Sequence, residues 1–523
     1  MWGKTGSGTR SLFMFADRRS ALGFWLGSGV VTAGVLLHLP MFWMARNMGF
    51  VLAGMPMDPG MILGMALIVS GIAAAGYGLL PRAVKSNEPF IAIAPPEDAP
   101  LTAAHWMLMA VLSVALIIDI MKPASLGFVT PGMRSEYAIG KATVAMLPFC
   151  ALVGTAVGSF VWGALADIYG RRATILLSSV MFIGTSICGA MPSFWWNLVM
   201  CFLMGAAAGG MLPVTYALLA ELMPTRHRSW CLVLVGGVGA VGGYLASSGL
   251  SALLQPLFGW RIMWFLNLPT GLILIALSPF IPESARFLEM MGRIGEARSV
   301  LARFGVSLTR STETIEKDAA EDHTPLPPVD HGFLGTTVAL TLAALAWGFV
   351  NFGVLLWLPA TLVAEGRSAG AASALIAKSA LFAVPTVALV TWLYSAWSTK
   401  WSLVLMIAMT VLGLAALLLR ASGGDPLVPV ALLIVGSTGV ISILLPYAAE
   451  NYPLRVRGRA TGWVAGCSKV GGLIAQGLGA LALVPALGLA AAIVAVPALV
   501  SLALIAWFGR ETRGRDLREL ESP

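Results

Sequence analysis

The sequence predicts an all-α membrane protein. Fourteen spanning helices form two six-helix bundles related by an internal repeat, with two further helices in front of them. Three observations predict it. The 523 residues are 58% hydrophobic and 11% charged, against about 45–50% apolar and about 25% charged in soluble domains. Apolar runs long enough to cross a bilayer recur from end to end. A loop pattern in the first half, E-x-x-P-x-R-x-R, returns in the second.

The apolar segments fall at 21–45, 60–80, 105–128, 142–162, 173–191, 195–220, 230–254, 262–281, 334–358, 371–394, 402–420, 427–447, 461–483 and 486–508. Threaded from a cytoplasmic N-terminus, they leave 24 Lys and Arg inside, six outside and three (Lys122, Lys378, Lys469) within spans, accounting for all 33. This positive-inside bias places both termini in the cytoplasm. The first apolar run follows basic residues as a signal peptide would. It continues to about Ala45 without an A-x-A-like cleavage site and is expected to be retained. Cys150, Cys188, Cys201, Cys231 and Cys467 lie in or beside spans without metal-ligand spacing and read as packing residues. The net charge of +8 is mostly the cytoplasmic collar, which favours anionic lipid headgroups; no basic helix or aromatic platform for nucleic acid accompanies it.

The expected organisation is a cytoplasmic N-terminus (1–20), two extra helices (21–80), a linker (81–104), a first bundle (105–281), a cytoplasmic segment (282–333), a second bundle (334–508) and a cytoplasmic tail (509–523). Within 282–333, Phe287, Met291, Ile294, Val300 and Leu301 recur at roughly helical spacing among charges, which predicts short interfacial helices. The acidic, Pro-containing stretch that follows predicts a flexible linker.

Glu221–Arg228 (ELMPTRHR) and Glu450–Arg457 (ENYPLRVR) share E-x-x-P-x-R-x-R at an offset of 229, which also aligns Gly237, Gly242 and Gly243 with Gly466, Gly471 and Gly472. Two six-helix repeats with a site between them are a common transporter plan. The loop GALADIYGRR (Gly163–Arg172) resembles the G-x-L-x-D-x-x-G-R-R/K signature of the major facilitator superfamily. PESARFLEMMGR (Pro282–Arg293) is similar to the segment that follows core helix six in its sugar-porter and organic-ion branches. The resemblance spans about 105–510 and implies a major facilitator fold, transport by alternating access and a monomeric transport unit in a bacterial inner membrane.

In the signature loop, Gly163 and Gly170 are expected to permit a tight turn. Asp167, Arg171 and Arg172 can pair with charges and helix ends across the halves. The resemblance implies a gating role for these residues and for Glu221, Arg226, Arg228, Glu283, Arg286, Glu450, Arg455 and Arg457. At the 229 offset, Gly163 faces Trp392, Asp167 faces Ala396, and Arg171 keeps a basic counterpart in Lys400.

The chemistry concentrates in DIMKPASLGF (Asp119–Phe128). A charge near the bilayer centre costs roughly 2.5–3.5 kcal/mol on insertion scales, so it needs a partner or a wet cavity. Asp119 and Lys122 sit at i, i+3, close enough to interact, and Pro123 removes a backbone donor at that level. The string also resembles the first-helix signature of bacterial aromatic-acid:proton symporters, D-G-F-D-x-x-x-x-G-F-x-x-P. Asp119, Gly127, Phe128 and Pro131 match, and Lys122 replaces the second acid. Asp119 is the expected proton-coupling group and Lys122 the expected anchor for an anionic substrate, with a permanent structural ion pair as the alternative. The run CFLMGAAAG places Cys201 where many proton-coupled relatives carry arginine, excluding coupling by that residue and leaving Na⁺ coupling or facilitated diffusion open.

Further substrate-binding candidates are Asn351, Tyr216, Tyr447, Lys378, Lys469 and Gln476, with Trp347 and Trp357 available for stacking. His38 reads as a satisfied histidine. The favoured function is a proton-coupled symporter of a small organic anion. An efflux antiporter is the first alternative, disfavoured because GAVGGYL (Gly239–Leu245) has paired glycines but no proline; a sensor or scaffold is the second. No catalytic cluster, cofactor motif or metal spacing is present, so no enzymatic activity is expected. The partner of the two extra helices is not legible.

Overall fold

The computed structural model describes residues 18–81, 100–305, 333–420, 424–452, 454–483 and 485–513. The expected linkers at 81–104 and after Phe304 fall largely outside them. Among the described residues every regular element is helical. Thirteen stretches of the described residues are long and apolar enough to span a membrane. The remaining expected span, 461–483, is also present as a helix, Leu454–Ala480, but its Lys469, Gln476 and glycines make it less apolar than the others.

The extra pair, α1 (Arg18–Leu36) and α2 (Pro59–Gly78), packs tightly against itself. Gly34 and Gly64 face each other so closely that a Cβ on either would lie 2.6 Å from the other's carbonyl oxygen. In a membrane, where lipid competes equally for apolar surface, such small-residue contacts are what bring helices together. His38 is buried with its Nδ1 2.8 Å from the Gly34 carbonyl, while its Nε2 has no hydrogen-bond partner, so the satisfied reading holds for one ring nitrogen only.

The first core helix, α3 (Ala103–Glu136), has 34 residues, about 50 Å at 1.5 Å per residue, and so outreaches a hydrocarbon core of about 30 Å. Thr102 and His105 form a reciprocal cap at its start. Next come α4 (Lys141–Tyr169), α5 (Arg171–Gly184), α6 (Phe194–Ala208), α7 (Met211–Leu222), α8 (Thr225–Phe258) and α9 (Asn267–Leu277). Within this group α3 packs on α8 and α4 on α6, and the extra pair leans on α5. Two short helices, α10 (Ala285–Met290) and α11 (Ile294–Arg303), bury Phe287, Leu288, Ile294 and Leu301, the amphipathic pattern expected there, although Glu289 is buried with them.

The second group comprises α12 (Leu334–Phe349), a π-helical turn at Val350–Val354, α13 (Leu355–Ala364), α14 (Ala369–Trp392), α15 (Thr399–Leu418), α16 (Leu427–Asn451), α17 (Leu454–Ala480) and α18 (Leu487–Phe508). It meets the first group where α13 packs on α3, α14 and α16 on α8, and α17 on α4.

A buried ion pair fixes the extra pair to the core. Arg261 is fully buried and holds Glu136, the last residue of α3, at 2.6 Å. Glu136 also accepts from the Leu52 and Ala53 amides, in the loop between α1 and α2, and from Trp260 Nε1. The remaining Arg261 donors reach the Gly189 and Met191 carbonyls and the Tyr137 hydroxyl. A buried charge pair is stable only when its other hydrogen-bonding positions are filled, and here they are.

Candidate functional site

Between α3 and α4 on one side and α13, α17 and α18 on the other lies a cavity of about 830 Å³. Its inner end is bounded by Gly127, Leu356 and Gln476, its mouth by Arg134, Lys141, Ala364 and Ala482. Gly127 forms the floor by close approach: a Cβ there would meet the Leu356 carbonyl oxygen at 2.6 Å. Val144, Pro148, Leu356 and Trp357 supply apolar and aromatic walls. Among the described residues Arg134 and Lys141 are its only charged lining, and both are exposed.

Asp119 lies deeper, 16 residues into the 34 of α3 and eight below Gly127, about 12 Å along the axis. It is buried, and its Oδ1 has no hydrogen-bond partner. Two lysines bear on it electrostatically without forming an ion pair, Lys469 from α17 across the interface and, less strongly, Lys122 from its own helix. The i, i+3 neighbours do not form the expected contact pair. Lys122 is 1% exposed and its Nζ sits 2.9 Å from the centroid of the Phe182 ring on α5, with no hydrogen bond. It therefore points into the first bundle and does not line the cavity. Spacing shows that two side chains share a face; it does not say which rotamer each takes.

Other candidates separate by location. Asn351 occupies the π-helical turn, a local widening common at functional positions, and its Oδ1 accepts from Tyr244 of the first group at 2.8 Å. Gln476 is fully buried and donates from Nε2 to the Phe352 carbonyl, while its Oε1 has no partner. Lys469 lies with its Nζ 5.1 Å from the Phe352 ring. Four of these residues, Asp119, Lys469, Asn351 and Gln476, thus belong to the interface between the groups. Tyr447 does not: its hydroxyl donates to the Arg510 carbonyl beyond α18. Tyr216 packs beneath Gly236 within the first group, and Lys378 is on the exposed side of α14. Trp347 donates to the Ser437 carbonyl, whereas Trp357 lines the cavity.

At the opposite end of the helices the signature loop is built differently from expectation. Gly163 lies inside α4 with open space around it, and Gly170 alone makes the turn, at φ +95°. Arg171 pairs with Glu221 at 3.2 Å and Asp167 at 3.6 Å, and Arg172 donates to the Ser278 carbonyl, so these contacts stay within the first group instead of crossing to the second. Glu283 caps α5, accepting from the Arg171, Arg172 and Ser284 amides. Burial pushes its carboxyl above the usual carboxylate range, an effect those amides and Arg172 partly offset. Arg226 and Arg286 are exposed, and Arg228 reaches the Met223 carbonyl. The side chains of Arg455 and Arg457 lie outside the described ones. Glu450 accepts from Tyr394 and Thr512.

Sequence reasoning missed the counterpart of Glu283. Glu511 accepts from Ser398, the Thr399 amide and hydroxyl, and the Arg513 amide, capping α15 as Glu283 caps α5. Burial alone would raise its carboxyl, but these hydrogen bonds hold it below the usual value. Glu283 and Glu511 are 228 residues apart, as are Arg171 and Thr399. One residue less than the 229 of the flanking loops was enough to hide the match.

The Major Facilitator Superfamily model matches residues 107–476. The chain is 24% identical over 385 residues to the niacin transporter of Acinetobacter baylyi, covering 72% of this chain and 87% of that protein. It is 29% identical over 405 residues to the 4-hydroxybenzoate transporter of Pseudomonas aeruginosa, covering 73% and 87%. The partially occluded, inward-open xylose transporter of E. coli superposes with a TM-score of 0.64 at 14% identity, covering 79% of this chain and all of that one. With most of both bundles inside the family match, and relatives of this length that are transporters and not enzymes, the chain is a membrane transporter of the Major Facilitator Superfamily.

Proposed function

We propose that this protein is a proton-coupled symporter of a small organic anion, in which Asp119 carries the proton. The observation that carries the reading is a carboxylate at the midpoint of the first core helix, buried, not fully hydrogen-bonded, and facing a cation from the opposite bundle. Ionised, Asp119 attracts Lys469 and holds the bundles together at that level. Protonated, it no longer does, and the bundles are free to rock; a ligand or proton shifts such an equilibrium only by its differential affinity for the two states. The relatives named for niacin and 4-hydroxybenzoate transport both move aromatic carboxylates, which supports the substrate class.

In this reading the membrane is a bacterial inner membrane and the Ala103 end of α3 is cytoplasmic, an orientation that the positive-inside asymmetry supports, so the cavity faces outward and each bundle tilts in turn around it. The anchor for the anion passes from Lys122, held against Phe182, to cations that the substrate can reach. The test is proton flux. Reconstituted protein carrying a lumenal pH dye is given benzoate without a potential. Benzoate-dependent proton entry above that of protein-free liposomes supports symport; protein-dependent benzoate uptake with no proton movement refutes it.

A further inference from the structure

The charged lining of the cavity has a single sign. We infer that Arg134 and Lys141 form the binding site for the carboxylate of an aromatic acid at the cavity mouth, with Trp357 beside its ring and Gln476 reading a hydrogen-bond donor at its inner end. The inference rests on the reading of the chain as an organic-anion transporter and names the groups that would select the substrate.

Four observations support it. First, at this end of the helices Arg261 is held by Glu136 and Arg420 by Glu365, whereas no described acid pairs with Arg134 or Lys141. Second, Arg134 lies in the last turn of α3, a favourable place for a cation, but Lys141 is the first residue of α4, where the helix dipole opposes one. A cation kept at an unfavourable terminus, beside a second one and over a cavity, has a use for its charge there. Third, Arg134 stands seven residues above Gly127, about 10 Å along α3, enough for one aromatic ring and its carboxylate lengthwise. The volume falls within the range of small-ligand sites, about 300–1,000 Å³. Fourth, the Phe352 carbonyl can only accept, which fixes the Gln476 amide with Nε2 toward it and leaves Oε1 as a buried acceptor without a donor. A ring hydroxyl opposite the carboxylate supplies that donor; an apolar ring end leaves it unmet.

The experiment is equilibrium binding to the purified full-length protein with three probes: benzoate, neutral benzamide and 4-hydroxybenzoate. Both cations are exposed, so Arg134→Gln and Lys141→Gln disturb no packed contact. Each is expected to weaken benzoate binding about ten-fold, as loss of a charge-assisted hydrogen bond does, and to leave benzamide unchanged. Wild type is expected to prefer 4-hydroxybenzoate over benzoate, and Gln476→Leu to abolish that preference while still binding benzoate. Equal weakening of benzoate and benzamide overturns the site, because the change is then structural. Unchanged benzoate binding in both cation variants also overturns it, while gradient-driven uptake by wild type leaves the transporter reading standing. Failure of wild type to bind any of the carboxylates overturns both.

Discussion

Glu136→Gln isolates the buried ion pair that ties the extra helices to the core. Arg261 has no exposed side-chain surface and the Glu136 side chain only 5%. The substitution keeps the shape but removes the charge, and turns an NH₂ toward some of the four groups that donate to this carboxylate: the Leu52 and Ala53 amides at 2.8 and 3.0 Å, Trp260 at 2.7 Å and the guanidinium. Removing one partner of a buried pair costs about 3–5 kcal/mol, because the other charge stays buried without compensation. Arg261→Met belongs at the lower end, since Glu136 then keeps its other three donors. In the double variant neither charge is stranded, and the loss is expected to fall about 2–3 kcal/mol short of the sum. Equilibrium unfolding of purified protein in mild detergent measures all three. A second readout is local: Glu136→Gln in an Ala53→Cys background is expected to alkylate faster than Ala53→Cys alone, because the loop between α1 and α2 has lost its acceptor. A stability change under about 1 kcal/mol with unaltered alkylation would show that this network does not bind the extra pair.

Three further expectations can be checked together. Gly170→Ala forces a side chain into φ +95° and brings its Cβ to 2.5 Å from Glu283 Oε2, so a loss of about 1–3 kcal/mol is expected in the same unfolding assay. The two carboxylate caps have opposite pH signatures. Glu283 titrates above 4.5 in the folded state, so its contribution is full below that pH and is lost as pH rises through the folded value. Glu511 titrates below 4.5, so its contribution is present above that pH and is lost as pH falls through the folded value. In unfolding series across pH, Glu283→Gln is expected to flatten the alkaline side of that point and Glu511→Gln the acid side. Finally, Lys122→Met preserves the packing on Phe182 without the charge. Half-saturation for carboxylate uptake is expected to stay within about two-fold, and a rise beyond about ten-fold would restore Lys122 as the anion anchor.

Much of this architecture was legible because hydrophobic length and charge asymmetry act locally along the chain. The apolar runs located the helices, including Leu454–Ala480, whose polar residues take it below the apolarity of its neighbours. The amphipathic spacing of Phe287, Ile294 and Leu301 located the two short helices. What the chain order hides is direction and partner. Asp119 and Lys122 are neighbours in sequence, yet the stronger electrostatic influence on Asp119 comes from a lysine 350 residues away and Lys122 turns to an aromatic ring. Arg171 was expected to reach across the halves and instead finds Glu221 and the Glu283 cap within its own, because the turn at Gly170 aims the start of α5 at the segment after α9. Arg134 and Lys141 read as outer-loop charges by position alone, and only the cavity beneath them gives those charges a setting.

The central claim is that Asp119 couples the anion to the proton, and one measurement addresses it directly. Wild type and Asp119→Asn are reconstituted side by side, and each is assayed for carboxylate counterflow and for accumulation under an imposed pH gradient. The account predicts that the variant exchanges substrate at equilibrium but no longer accumulates it against a gradient, since an amide at this depth has no proton to release. Accumulation by Asp119→Asn at the wild-type level would contradict it.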